Sequence, residues 1–101
     1  MDYKVFWSAE AEEDLVKYLS QFEFLGKTHY INGLLKVISE LLNLLSKTPF
    51  MHPIWDFDIH VAPLRKIPYT LYYIVDDDKK IITIIGLLHQ KQDNSIVSIR
   101  E

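Results

Sequence analysis

A few residues in this sequence have side chains that can do chemistry at the spacing observed. His89 stands in Leu87-Leu88-His89-Gln90-Lys91-Gln92-Asp93, where an apolar run turns polar. Histidine titrates near neutrality, so this ring can serve as a general acid or base. The plainer role, a ring that ends a strand and bonds backbone, is preferred. Arg65-Lys66, between Leu64 and Ile67, is a cationic pair able to hold a phosphate or the acidic patch of a protein target. Arg65 can make a bidentate contact that a lysine cannot. The same pair also suits a solvated edge strand, where charge discourages aggregation. Strand alternation would put Arg65 and Lys66 on opposite faces, so at most one faces a given site. Tyr72 and Tyr73 can stack on bases, but sheet packing is expected for both.

Other groups point less clearly to chemistry. Glu10, Glu12, Glu13 and Asp14 form a carboxylate cluster, which is read as a solvated helix face complementing the helix dipole. His29, His52 and His60 fall in different elements without metal-ligand spacing, so no metal site is expected, and the two at a helix start and on a loop, His29 and His52, are expected on the surface. Trp55 and Phe57 are read as core fillers rather than an exposed anchor.

The chain that must position these residues has 101 residues, about one domain's length. Hydrophobic residues make up 49% and charged residues 25%, which excludes disorder for most of the chain. No apolar run reaches the ~18–20 residues that cross a bilayer, so no membrane association is expected. Cysteine is absent, which removes disulfides, thiolate metal sites and cysteine nucleophiles. Met1-Asp2-Tyr3-Lys4 lacks a basic region ahead of an apolar stretch, so no secretory leader and a cytoplasmic setting are expected. The net charge is −3, unlike a protein that grips many phosphates. The charge is unevenly placed. Residues 1–58 hold five Lys against nine acids, a net of −4, and residues 59–101 hold six Lys and Arg against five acids, a net of +1. An anionic partner should therefore meet the C-terminal half.

Tyr3 to Trp7 alternates aromatic and β-branched residues and predicts a short strand. Ser8 then precedes a run of acids, an N-cap pattern. Ala11, Leu15, Tyr18, Leu19 and Phe22 continue with helical spacing, predicting a helix over 9–25 that stops at Gly26. Ile31, Leu34, Leu35, Ile38, Leu41, Leu42 and Leu45 form the clearest stripe. That helix begins near Thr28 and ends before Thr48-Pro49. The short link between the two helices makes an αα-hairpin. The segment 49–58 is an irregular aromatic loop whose side chains should pack back onto the body. Strands are predicted over 59–67, 69–75 and 80–88, the last two joined by the turn at Asp76-Asp77-Asp78-Lys79. The last is read as a central strand buried on both faces. The tail from Gln90 to Glu101 is polar and then weakly apolar at Ile96, Val97 and Ile99; it reads as a small strand, a helical turn or a frayed end, with 94–101 as a loosely ordered tail. The order β-α-α-β-β-β implies an α+β fold, with a helical hairpin on one face of a small twisted, mainly antiparallel sheet.

Several of these segments together resemble the ParE/RelE superfamily of toxins from bacterial type II toxin–antitoxin modules. Tyr3-Lys4-Val5-Phe6-Trp7-Ser8 with Ala11 and Asp14-Leu15 is similar to the family's opening. Ile38 through Leu41 to Pro49 is similar to its helix exit. Leu64-Arg65-Lys66, Pro68-Tyr69 and Tyr72-Tyr73 resemble its strand pair, and residues 87–93 resemble its closing motif. The resemblance spans residues 3–93. It implies a helical hairpin on a β-sheet, no cofactor, no metal, and a cognate antitoxin with which the chain could form a hetero-oligomer. Thr70 stands where the family commonly has Arg, and Gln90, Lys91 and Gln92 where two Arg are frequent. The basic face and C-terminal Tyr of the mRNA-cleaving relatives are missing. With the acidic net charge, these departures favour a ParE-like binding toxin acting on a target such as DNA gyrase, with Arg65, Lys66, His89 and Lys91 as target-binding residues. The alternative is a RelE-like ribosome-dependent endoribonuclease that cleaves mRNA without a metal. Arg65, His89 and Lys91 would then be the catalytic candidates. A degenerate, non-toxic relative is the third reading.

Overall fold

The computed structural model describes residues 2–100. It contains β1 (Lys4–Trp7), α1 (Ala9–Phe24), α2 (Thr28–Lys47), β2 (Ile54–Asp56), β3 (Ile59–Pro63), β4 (Tyr69–Asp76), β5 (Ile81–His89) and a helical turn α3 (Ser95–Ser98). The five strands form one sheet in the order β1-β5-β4-β3-β2. β1 runs parallel to β5, and every other pair is antiparallel. The expected α+β architecture is present, with β2 and α3 as the two additions. No described helix is long and apolar enough to cross a membrane.

The helical hairpin follows from local chemistry. The Ser8 hydroxyl accepts the Ala11 amide at 3.1 Å and starts α1. Gly26, at φ 70°, stops it in a backbone region that side chains disfavour. At the other end of α2, Thr48 donates its hydroxyl to the Leu44 carbonyl at 2.8 Å, and Pro49 prevents another turn. Leu34, Ile38 and Leu45 of the predicted stripe are buried, but Leu35 is 41% exposed. The stripe is wider than the strip of sheet it covers.

The helices pack on one face of the sheet through Tyr69, Leu71 and Tyr73 of β4 and Ile82, Ile84 and Leu87 of β5. On β5 the inward positions pass from even to odd numbers. A bulge achieves this: Tyr72 pairs with Gly86 and Tyr73 with Ile84, which leaves Ile85 as the extra residue. Ile85 and Leu88 consequently point to the second face, where Val97 of α3 covers them together with Tyr72 and Ile59. β5 is a central strand as predicted, yet Ile81 and Thr83 are only half-buried. α3 shields the later part of the strand alone.

α3 is latched by a charged pair that periodicity did not indicate. Arg100 donates from Nη1 and Nη2 to the two carboxylate oxygens of Asp14, at 2.7 and 3.3 Å. The same Asp14 accepts the Leu87 amide at 3.0 Å, and Arg100 also reaches the Ile85 carbonyl at 3.2 Å. Asp14 is thus a tie between α1, β5 and α3, not part of the solvated face expected for it. Glu10, Glu12 and Glu13 do lie exposed.

The aromatic segment also departs from expectation. Trp55 lies against Tyr72 with ring centroids 5.5 Å apart but stays 37% exposed, and Phe57 is 79% exposed. Trp55 lies on a three-residue edge strand, and Phe57 lies beyond it in the β2–β3 turn at φ 49°, with its ring in solvent. His52, expected on the surface, is half-buried, and His60 is buried and stacked on Tyr73 at 4.9 Å. It faces the helices because β3 alternates Ile59 and Val61 against His60 and Ala62. Its Nδ1 lies 2.8 Å from the His52 carbonyl. The buried Tyr73 phenol donates to the Pro49 carbonyl at 2.8 Å, and burial pushes it up to about 12. Tyr72 and Tyr73 are both buried, in the packing roles expected for them.

Candidate functional site

The four candidate residues come from two separate stretches of sequence, and pairing in the sheet brings those stretches to one end of the molecule. β3 and β4 are joined by a turn over residues 64–68, closed by the Leu64 amide donating to the Tyr69 carbonyl at 2.8 Å. Tyr69 pairs with His89 at the end of β5. The Gln90 amide then donates to the Pro68 carbonyl at 2.8 Å, tying the two turns together.

Arg65 and Lys66 sit in the first turn, not in a strand. The expectation that alternation separates them therefore fails. Strand β3 ends at Pro63, which has no amide to donate, and Lys66 takes φ 65° to turn the chain. Both residues line one cavity with the start of α2. The described residues place Arg65, Lys66 and Lys91 in no ion pair, so their charge is available to a partner. Lys27, at the tip of the helical hairpin with its Nζ over the Tyr30 ring, adds to this end. Asp76, Asp77, Asp78 and Asp58 gather at the other end of the sheet, where Lys80 pairs with Asp77 at 3.0 Å. The charges are therefore divided between a cationic end, at the 65–68 and 89–92 turns, and an acidic end.

His89 is built into the end of β5. Its amide donates to the Tyr18 hydroxyl at 3.1 Å and to Gln92 Oε1 at 3.3 Å. The Tyr18 hydroxyl donates in turn to Gln92 Oε1. Burial pushes the Tyr18 phenol up, while the His89 amide pulls it the other way. The phenol thus stays protonated at neutral pH and acts as a fixed donor. The His89 ring accepts the Lys91 amide on Nδ1 at 3.1 Å, which puts the proton of a neutral ring on Nε2. The ring stands T-shaped to Tyr69, with centroids 5.1 Å apart. This is the strand-ending, backbone-bonding role preferred for it. No second titratable group is hydrogen-bonded to the ring among the described residues, so no acid–base pair is assembled there.

Tyr69 joins the two halves of the site. It packs edge-on against Tyr18 at 4.8 Å and against Phe22 at 6.4 Å, and burial pushes its phenol up. Tyr18, Tyr69 and Gln92 were not among the candidates. For Tyr18 the available signal was a hydroxyl inside an otherwise apolar helical stripe, since a buried hydroxyl needs a partner.

The family of ParE toxins of type II toxin–antitoxin systems, parDE, matches residues 5–94. The chain belongs to this family. It is a type II toxin–antitoxin toxin of the ParE/RelE group, and the resemblance read from residues 3–93 is correct at that level. Among solved structures, the chromosomal ParDE system from P. aeruginosa is similar at a TM-score of 0.71 and 17% identity, covering 86% of this chain and 95% of that one. A mutant of the E. coli toxin RelE in the free state is similar at 0.69 and 18% identity, covering 99% and 94%. The RelBE2 toxin–antitoxin complex from Mycobacterium tuberculosis follows at 0.61 and 20% identity, covering 88% and 99%. At these identities the likeness is one of fold, shared by ParE and RelE members alike. No curated protein matches the sequence significantly.

Proposed function

We propose that this ParE-family chain is a binding toxin: it grips a protein target, DNA gyrase being the leading candidate, through the cationic end of its sheet, and a cognate antitoxin silences it. The observation that carries this reading is the division of labour at that end. Arg65, Lys66 and Lys91 form no ion pair among the described residues, whereas the His89 ring is occupied in holding the strand end. Free cations serve recognition, whereas cleavage of RNA by the substrate's own 2′-hydroxyl needs a positioned acid–base pair as well. An acidic net charge of −3 fits a protein target better than a long phosphate backbone. The antitoxin partner is supported by relatives that are themselves solved as toxin–antitoxin complexes.

The discriminating experiment compares two assays on one preparation freed of antitoxin. Inhibition of gyrase supercoiling without cleavage of translated mRNA is expected. Codon-dependent mRNA cleavage that His89→Gln lowers by ~10²–10⁴-fold would replace this reading with the nuclease. Inactivity in both assays would leave antitoxin binding as the chain's one retained property.

A further inference from the structure

The cavity beneath Arg65 and Lys66 holds about 500 Å³, within the ~300–1,000 Å³ typical of ligand sites. Its walls are apolar: Phe22, Tyr30, Leu34, Val37, Ile67 and Tyr69. Phe22 and Tyr30 lie 5.7 Å apart, ring to ring. Gly33 opens it on the α2 side. A glycine inside a helix costs ~1 kcal/mol relative to alanine. Here no internal contact requires it, because a Cβ built on Gly33 meets nothing within 4 Å. The residue leaves the cavity wall thin instead of relieving a clash. Arg65 and Lys66 sit at its edge with His29, and Lys27, whose Nζ lies 5.5 Å over the Tyr30 ring, precedes the first turn of α2. That turn has no side-chain cap, so its amides add to the positive field.

We infer that this cavity is a side-chain pocket for the toxin's protein target, receiving one bulky apolar side chain from an acidic peptide segment. The inference deepens the binding-toxin reading and rests on it. Charge complementarity selects the flanking residues of the segment: unpaired cations crowd the rim, and they match carboxylates on either side of the anchor. The apolar lining selects the anchor. A nucleobase would leave several polar edge atoms unpaired there, whereas an aromatic or branched aliphatic side chain brings at most one polar group with it. Gly33 selects an extended backbone, because a strand lying across α2 at that point can approach without meeting a side chain.

The test uses nuclear magnetic resonance on the full chain, with the blocked peptide Glu-Asp-Trp-Glu-Asp as probe. A version with serine in place of tryptophan, one with lysines in place of the acids, and a short single-stranded RNA are the controls. The acidic tryptophan peptide is expected to shift the amides of Tyr30, Gly33, Ile67 and Tyr69 saturably, and the controls far less. Gly33→Leu, which fills the cavity from a position with open space around it, should weaken the peptide at least tenfold while raising the melting temperature. Arg65→Glu should weaken it similarly. Shifts elsewhere, undiminished binding to Gly33→Leu, or tighter binding of the RNA at the same amides would overturn the pocket. Supercoiling and antitoxin affinity separate this failure from that of the broader reading. Peptide binding without gyrase inhibition by the wild type removes gyrase alone. Equal inhibition by wild type and Gly33→Leu removes the pocket alone. Loss of antitoxin affinity in Gly33→Leu makes the antitoxin the occupant and overturns the assignment to the target.

Discussion

Replacing Arg100 with methionine keeps most of the side-chain volume and removes the charge. The Arg100 and Asp14 side chains are only 14% and 13% exposed, and their closest approach is 2.7 Å. The substitution deletes two charge-assisted bonds to Asp14 and the bond to the Ile85 carbonyl. Bonds to charged groups contribute ~1.5–3 kcal/mol each, and stranding one partner of a fully buried pair costs ~3–5 kcal/mol. The stranded Asp14 still accepts the Leu87 amide at 3.0 Å and keeps some contact with water, so the expected loss falls lower, at ~2–3 kcal/mol. For a domain near 100 residues this corresponds to a fall in Tm of roughly 8–24 °C. Thermal and urea unfolding followed by circular dichroism would measure it. A cycle with Asp14→Asn should show a coupling above ~1 kcal/mol, because the two residues touch. Hydrogen exchange should locate the loosening at α3 and at the Leu87 amide. A loss below ~0.5 kcal/mol, the level of ordinary surface changes, would refute the latch and make the pair a surface contact.

Three further outcomes are expected. Ile38 is 4% exposed at the centre of α2, so Ile38→Ala should cost ~2–5 kcal/mol in urea unfolding; a cost like that of an exposed site would show that the stripe is not buried. His52 is held below the usual histidine range, first by burial and then by His60 beside it. A depressed folded value means that the neutral ring stabilises the fold above the unfolded value of ~6.5, and that this contribution is lost as the pH falls below it. Stability should therefore drop between neutral and mildly acidic pH, and His52→Gln should flatten that slope; an unchanged slope in the variant would assign it elsewhere. In cells, Arg65→Ala should weaken growth inhibition and His89→Gln should weaken it less, at matched soluble expression. Full toxicity in both variants would remove these residues from the target contact.

Periodicity and capping carried most of the architecture. The Ser8 cap, the Gly26 stop, the α2 stripe and the Thr48-Pro49 exit are local events, decided within a few residues of chain by backbone sterics and apolar spacing. They appear where the sequence puts them, to within a residue or so. The β4–β5 hairpin is equally local, because consecutive acids at 76–78 can form only a solvated turn. The charge asymmetry was legible too, and so was the packing role of Tyr72 and Tyr73.

Residues far apart in sequence required the tertiary structure. Asp14 looks like its neighbours Glu12 and Glu13 until Arg100, 86 positions away, is brought to it. The bulge at Ile85 shifts the alternation of β5 by one residue, and no pattern of period two can announce its own interruption. Arg65 and Lys66 read as strand residues because Leu64 and Ile67 flank them. Only the return of β4 along β3 bends that segment into a turn and lets both cations share one cavity. Phe57 missed the core for a similar reason: it takes φ 49° in the turn between β2 and β3, and where a tight turn aims its side chain depends on the strands it joins, not on the residue. The candidate site is itself non-local. Its cations come from one turn, its histidine from another, and its apolar floor from the helical hairpin. Each is ordinary in sequence, and the pairing of Tyr69 with His89 brings them into one place.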